Sequence, residues 1–225
     1  MQHFRNLIKK NEQLNLDRLA QVLSRGLDMC DTDFEKRELG YLTMKAYDIE
    51  RDTQIDKYLK FDGKEITHKV LQDSTSIRYF NDLREVYYRN MIYRDASIML
   101  KNIIWNPKVT TPIHGHNSRG WWVLITQGEL VEKVFTRENG EPQLIDEKIL
   151  KKGDVTYNHN AIGFHLMQND SESVPAITLH WYHPPYDTTA IMRENGEIFT
   201  GGLSYYSKYG KVEQHVETGG DASRI

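Results

Sequence analysis

From about Val86 onward the chain is written in short runs rich in Val, Ile, Tyr, Trp and Thr, punctuated by Gly, Asn, Asp and Pro. The runs Ser97–Trp105, Gly120–Gln127, Leu130–Thr136 and Ile177–Tyr182 are separated by Asn106-Pro107, Glu138-Asn139-Gly140, Lys152-Gly153-Asp154 and Asn169-Asp170. β-Branched and aromatic side chains fit a pleated, half-buried surface, and the intervening residues take the backbone angles that turns require. Many short strands with few helix signals predict a mainly β chain folded as an antiparallel barrel or jelly roll.

The first sixty residues read differently. Leu14, Leu16, Leu19, Val22, Leu23 and Leu27 recur near the three-to-four residue spacing of an amphipathic helix. A second such stretch, from Phe34 to Tyr58, carries Leu39, Leu42, Met44, Ala46 and Ile49, and no proline precedes Pro107. Residues 61–80 are polar and take no clear period. The organisation expected is a helical segment over 1–84 packed on the barrel and closing one end of it, the barrel itself over 85–210, and a loose tail over 211–225.

Composition narrows the function classes. Hydrophobic residues make up 39% of the 225, enough for a packed core. Lys+Arg total 29 against 32 Asp+Glu, a net charge of -3 that argues against a polyanion such as nucleic acid as main partner. No apolar run approaches the roughly 18–20 residues that span a bilayer, and the start lacks the apolar middle of a signal peptide. Cys30 is the only cysteine, which excludes an internal disulfide and a cysteine-based zinc cluster. A cytoplasmic protein without a membrane partner is expected. Nothing in the pattern specifies oligomer contacts, and a monomer is compatible with it.

Chemistry enters with Thr111-Pro112-Ile113-His114-Gly115-His116. Residues i and i+2 of a strand share a face, so His114 and His116 aim two imidazoles into one space. Neutral imidazoles are common ligands of transition metals. Downstream lie Gly153-Asp154, then Gly163-Phe164-His165 and Asn169, at a distance that lets a third imidazole return beside the first two. Together these segments resemble the two motifs of cupins, except that the acidic ligand of the first motif is replaced by Trp121. A site of three neutral ligands leaves a divalent metal its full charge and leaves positions open for an anionic substrate. Nitrogen donors suit iron, zinc, copper and nickel alike, and tetrahedral zinc with a water is the chief rival to iron.

A narrower resemblance runs through residues 85–190. Pro112 to His116, continued through Gln127-Gly128-Glu129-Leu130, is similar to the first metal motif of the cysteine dioxygenase family. Gly163-Phe164-His165 with Asn169 resembles the surroundings of its third ligand. Thr178-Leu179-His180-Trp181-Tyr182-His183-Pro184-Pro185 is similar to its Ser-x-His-x-Tyr strand and Pro-Pro corner, Tyr87-Tyr88-Arg89-Asn90 to its carboxylate-binding stretch, and Trp105 falls where the family has a tryptophan.

The resemblance implies one Fe(II) per chain on His114, His116 and His165, no organic cofactor, and a small thiol with O2 as substrates. It implies Arg89 and Tyr87 as the carboxylate clamp, Tyr182 close to the metal, His180 orienting Tyr182, and Thr178 supporting His180 in place of serine. The activity implied is oxidation of a carboxylate-bearing thiol, cysteine by default, to its sulfinic acid. Two alternatives stand beside it: oxygenation of another amino acid or a specialised metabolite at the same iron, and a barrel that binds a ligand without catalysis. The chain also departs from the family. No cysteine follows the second ligand, so a cross-link to the active-site tyrosine cannot form. Gly115 replaces an acidic residue, Trp121 and Trp122 add bulk, Arg119 adds a candidate second cation, and the stretch from Phe61 to Val86 is long. Trp105 and Trp181 are expected in the core rather than in a site wall.

Overall fold

The computed structural model describes residues 14–49, 51–52, 54–61, 64–65, 87–159 and 161–213. The expected loose tail therefore lies mostly outside the described residues, as does most of the stretch between Phe61 and Val86. Two helices come first. Asn15 caps α1 (Leu16–Leu27), its side chain accepting from the Arg18 N–H at 2.9 Å. Thr32 and Glu35 form a reciprocal capping box on α2 (Asp33–Lys45), which satisfies N–H groups that a first turn leaves open. The leucine stripe of α1 is buried as its spacing predicts.

The second helix is shorter than its apolar pattern. It stops at Lys45, and Ile55–Tyr58 forms a separate 3-10 turn. Between them Ile49 is buried from a loop. The buried Asp52 carboxylate holds that loop, accepting from the Leu16 N–H at 3.0 Å and the Tyr47 hydroxyl at 3.1 Å. Apolar spacing alone does not distinguish a helix from a buried loop tied by one acid.

After a two-residue hairpin pairing Lys60–Phe61 with Lys64–Glu65, the described chain is all strand. The strands are β1 (Tyr87–Arg94), β2 (Met99–Trp105), β3 (Ile113–His116), β4 (Gly120–Gln127), β5 (Glu129–Glu138), β6 (Glu141–Lys151), β7 (Val155–Asn158), β8 (Phe164–Gln168), β9 (Ala176–His183), β10 (Thr188–Met192), β11 (Ile198–Gly202), β12 (Ser207–Lys208) and β13 (Lys211–Val212). They form a seven-stranded sheet in the order β13-β12-β1-β2-β9-β4-β7 and a six-stranded sheet in the order β11-β10-β3-β8-β5-β6. All pairings are antiparallel except β12 with β1. This is the jelly roll of a cupin, as expected. The Asn139-Gly140 turn joins β5 to β6 with positive φ at both residues, the geometry of a type I′ hairpin. β6 escaped notice in the sequence because it is an edge strand whose residues are mostly exposed, including Leu144, Ile145 and Ile149.

Strand alternation divides the core in two. Leu100, Trp122, Leu124, Leu179 and Trp181 point outward from the seven-stranded sheet into one cluster with the helices. Met99, Ile103, Trp105, Trp121, Val123, Ile125 and Tyr182 point inward, between the sheets. The helices therefore cover the outer face of one sheet rather than close an end of the barrel, contrary to expectation. Gly40 makes that docking possible: a Cβ there would lie 2.4 Å from atoms of both Trp122 and Trp181. No described helix is long and apolar enough to cross a membrane.

Candidate metal centre and its cavity

Pairing register builds the site. On β3, His114 and His116 face inward, and β8 runs antiparallel beside it with His165 directly opposite His114. Adjacent inward positions on neighbouring strands hold their side chains within reach of one another. One nitrogen from each ring falls within 4.8 Å of the other two. The Nε2 atoms of His116 and His165 lie 3.3 Å apart.

The ring protons are directed outward. His114 donates through Nδ1 to the Pro112 carbonyl at 2.9 Å, and His165 through Nδ1 to Glu132 at 2.9 Å. Each is left with an Nε2 lone pair aimed at the common space. Ligand nitrogens about 2.0–2.1 Å from one ion sit roughly 3–3.5 Å apart, so the separation observed suits a shared metal. Burial holds His114 and His116 well below the ordinary histidine value, the neighbouring imidazoles adding to the effect. Neutral rings are the ligating form. The three histidines fit a transition metal by donor set, and the His116–His165 pair by its separation as well.

Glu132 is the support that sequence reasoning missed. It is 1% exposed, and its carboxylate accepts from His165 and, at 2.6 Å, from the Thr156 hydroxyl. Burial opposes its charge, yet these hydrogen bonds outweigh burial and hold its pKa below the usual glutamate value. The signal was the alternation Leu130-Glu132-Val134, which places an acid among inward apolar residues.

The remaining expected residues gather around the same cavity, of about 30 Å³. Arg89 and Tyr87, both half-buried, line it from β1, with Arg89 Nη2 donating to Tyr87 Oη at 2.5 Å. His180 and Tyr182 line it from β9; Tyr182 Oη meets His180 Nδ1 at 2.9 Å, and His180 Nε2 meets Thr178 Oγ1 at 2.7 Å. The three share the inward face as their spacing predicts. Burial lowers the His180 pKa well below the usual range and raises that of Tyr182.

Other placements differ from expectation. Trp105 is a cavity wall as well as core: its indole N–H donates to Thr178 at 2.8 Å, and its ring stacks on Tyr87. Trp181 does belong to the helix-side core. Trp121 packs edge-on against His116, with ring centroids 4.6 Å apart, whereas Trp122 faces the helices. Arg119 is exposed and does not line the cavity. The second cation is Lys101 of β2, 2% exposed, which the sequence signalled only as a lysine inside a mostly apolar strand. Asn169 staples a loop, donating to the carbonyls of Trp105 and Val174. Cys30 packs with the helix-side core, so Tyr182, between the sheets, has no cysteine partner.

A jelly roll whose neighbouring strands converge three imidazoles on one small cavity defines a cupin metal centre. A family model described as cysteine dioxygenase type I matches residues 64–194, more than half of the chain. The chain belongs to that family. Cysteine dioxygenase type 1 of Homo sapiens is 28% identical over 129 residues, and that of Bos taurus is 29% identical over the same length. The matches cover 55% of this chain and 64% of each of those proteins. The Danio rerio protein is 25% identical over 146 residues, 62% of this chain and 72% of its own. Among solved structures, a Cupin_2 domain of an XRE family transcriptional regulator from Enterobacter cloacae is similar over 45% of this chain and 99% of its own (TM-score 0.36, 17% identity). An oxalate oxidase structure is similar over 47% and 55% (TM-score 0.39, 13% identity).

Proposed function

We propose that this protein is a non-haem Fe(II)-dependent thiol dioxygenase that converts a carboxylate-bearing thiol, by default cysteine, to its sulfinic acid with O2. The observation that carries this reading is one cavity lined at once by three neutral imidazoles, a guanidinium and the Tyr182 phenol. His114, His116 and His165 would hold the ferrous ion, which when bound supplies coordination of the thiolate and activation of dioxygen. Thiol and O2 sum to sulfinic acid, so the substrate provides every electron and no reductant or organic cofactor is needed.

The chain's own residues bind, orient and exclude water. Arg89 offers a planar fork to a substrate carboxylate, a match that a point charge does not provide. Tyr87, which already accepts from Arg89, keeps that fork in place and offers its hydroxyl to the same carboxylate. Tyr182 presents its hydroxyl to the reacting end of the substrate, and His180 with Thr178 orients it. Trp105 and Ile103 keep the cavity dry and small, which strengthens each polar contact inside. The barrel over 85–210 carries this chemistry, and helices α1 and α2 serve to cover its sheet. A reducing cytoplasm suits both the free Cys30 and a thiol substrate.

The test is metal analysis of protein purified without oxygen, followed by oxygen-electrode assays across a panel of thiols and of sulfur-free amino acids. Oxygen uptake with a carboxylate-bearing thiol and formation of its sulfinic acid are expected. Iron-loaded protein that consumes oxygen with no thiol would overturn the reading.

A further inference from the structure

Beside the metal cavity lies a second, larger one of about 640 Å³, a size ordinary for a ligand site and without a role in the scheme above. The two cavities adjoin, sharing Thr111, Pro112 and Ile191 as wall residues. Register shows how. His165 pairs with His114, His114 with Ile191, and Ile191 with Phe199. Residues paired across neighbouring strands share a face, so one inward row runs from the metal ligands across β8, β3, β10 and β11 and ends at Phe199, in the wall of the larger cavity. Neighbouring strands lie about 4.8 Å apart, which sets Phe199 roughly 10 Å from His114 along that row.

The larger cavity suits an apolar occupant. Ile113 and Met192, paired with one another, add to its wall beside Phe199. Arg193, at its rim, is already engaged: its guanidinium lies 4.8 Å from the Phe199 ring centroid and donates to Glu197 at 2.8 Å.

The metal cavity, for its part, selects by charge. Arg89 and Lys101 line it, and no acidic residue does among the described residues. Burial first, and the Arg89 charge with it, holds the Lys101 pKa well below its usual value, so this space resists a further positive charge. Cysteine arrives with an ammonium, which finds no counter-ion there, and a buried charge without a partner is costly. Acylation of the nitrogen removes that charge. The amide is neutral, and the thiol and the carboxylate remain for the metal site and for Arg89.

We infer that the preferred substrate is an N-acylated cysteine whose acyl chain passes Ile191 into the larger cavity and packs against Phe199 and Met192. The two observations are independent: one cavity has room and apolar wall next to the metal ligands, and the other lacks an acid. Phe199 and Met192 determine specificity and take no part in the chemistry. The fate of the thiol rests on the function proposed above, whereas the place of the acyl chain does not.

Calorimetry on iron-loaded protein held free of oxygen reads binding without turnover. Affinity is expected to rise at least threefold from cysteine to N-acetylcysteine, as the ammonium is removed. It is expected to rise at least threefold again from N-acetylcysteine to N-hexanoylcysteine, as added methylenes leave water. Phe199→Ala should remove most of the second step and leave the affinity for cysteine within twofold of wild type. Ile113→Ser, at a half-buried position of the same wall, reads the same loss should Phe199→Ala fail to fold. A gain below threefold at either step overturns the inference, and so does a second step that survives in a folded variant. Oxygen uptake with cysteine and no preference for the acylated thiols removes the acyl site and leaves the dioxygenase reading. Tighter binding of N-hexanoylcysteine with no oxygen uptake once air is admitted does the reverse.

Discussion

Glu132→Gln isolates what the buried carboxylate does for the metal. The substitution keeps the shape of the side chain and removes its charge. Both contacts survive in neutral form, with the amide oxygen accepting from His165 Nδ1 and the amide N–H facing Thr156. Hydrogen bonds to a charged group contribute about 1.5–3 kcal/mol and neutral ones about 0.5–1.5, so each of the two bonds weakens by about 1 kcal/mol. His165 also loses the anion that makes its Nε2 a better donor. Partners of this kind are worth 10–100-fold in metal affinity, about 1.4–2.8 kcal/mol. Competition of the metal-free protein with a chromogenic chelator for Zn(II) reads the dissociation constant. The Gln variant is expected to bind 10–100-fold more weakly while its unfolding transition stays cooperative. Glu132→Ala should lose more, because it leaves two buried donors unpaired beside a cavity. A Gln variant that binds within twofold of wild type would refute the view that Glu132 tunes His165.

Further outcomes follow from the same geometry. Arg89→Ala should raise KM for cysteine by about 10–100-fold, the loss of one or two charge-assisted hydrogen bonds, with iron content near wild type; normal kinetics would remove the carboxylate clamp. Stability of the metal-free protein should fall as pH drops through 6.5. Burial depresses the folded pKa of His114, His116 and His180, so the unfolded chain takes up protons first, and each histidine costs up to about 1.4 kcal/mol per pH unit below that point. A thermal midpoint that is flat from pH 7.5 to 5 contradicts this. Gly40→Ala pushes a methyl against Trp122 and Trp181 and should cost about 1–3 kcal/mol by denaturant titration; a neutral effect would mean that the helix docks more loosely than the structure shows.

Much of the architecture was legible along the chain because its signals are local. The alternation of apolar residues and the Asn139-Gly140 turn each act within a few residues. So does the shared face of His114 with His116, and that of Thr178, His180 and Tyr182. The helix limits near Lys45, the exposed strand β6 and the roles of Trp105, Arg119, Lys101 and Glu132 were not legible in this way. A strand's sequence states which residues share a face, but not which strand lies beside it.

What the sequence determined by itself was the set of inward-facing groups: two histidines two residues apart, a later third, and a threonine–histidine–tyrosine row. What only the tertiary structure decided was their neighbours. His165 stands opposite His114, Glu132 behind His165, Lys101 beside His180, and the helices against the outer face of one sheet. These are matters of register between segments far apart in the chain. Register is settled by the collective packing of two sheets, where sliding a strand by one residue would exchange its buried face for its exposed one.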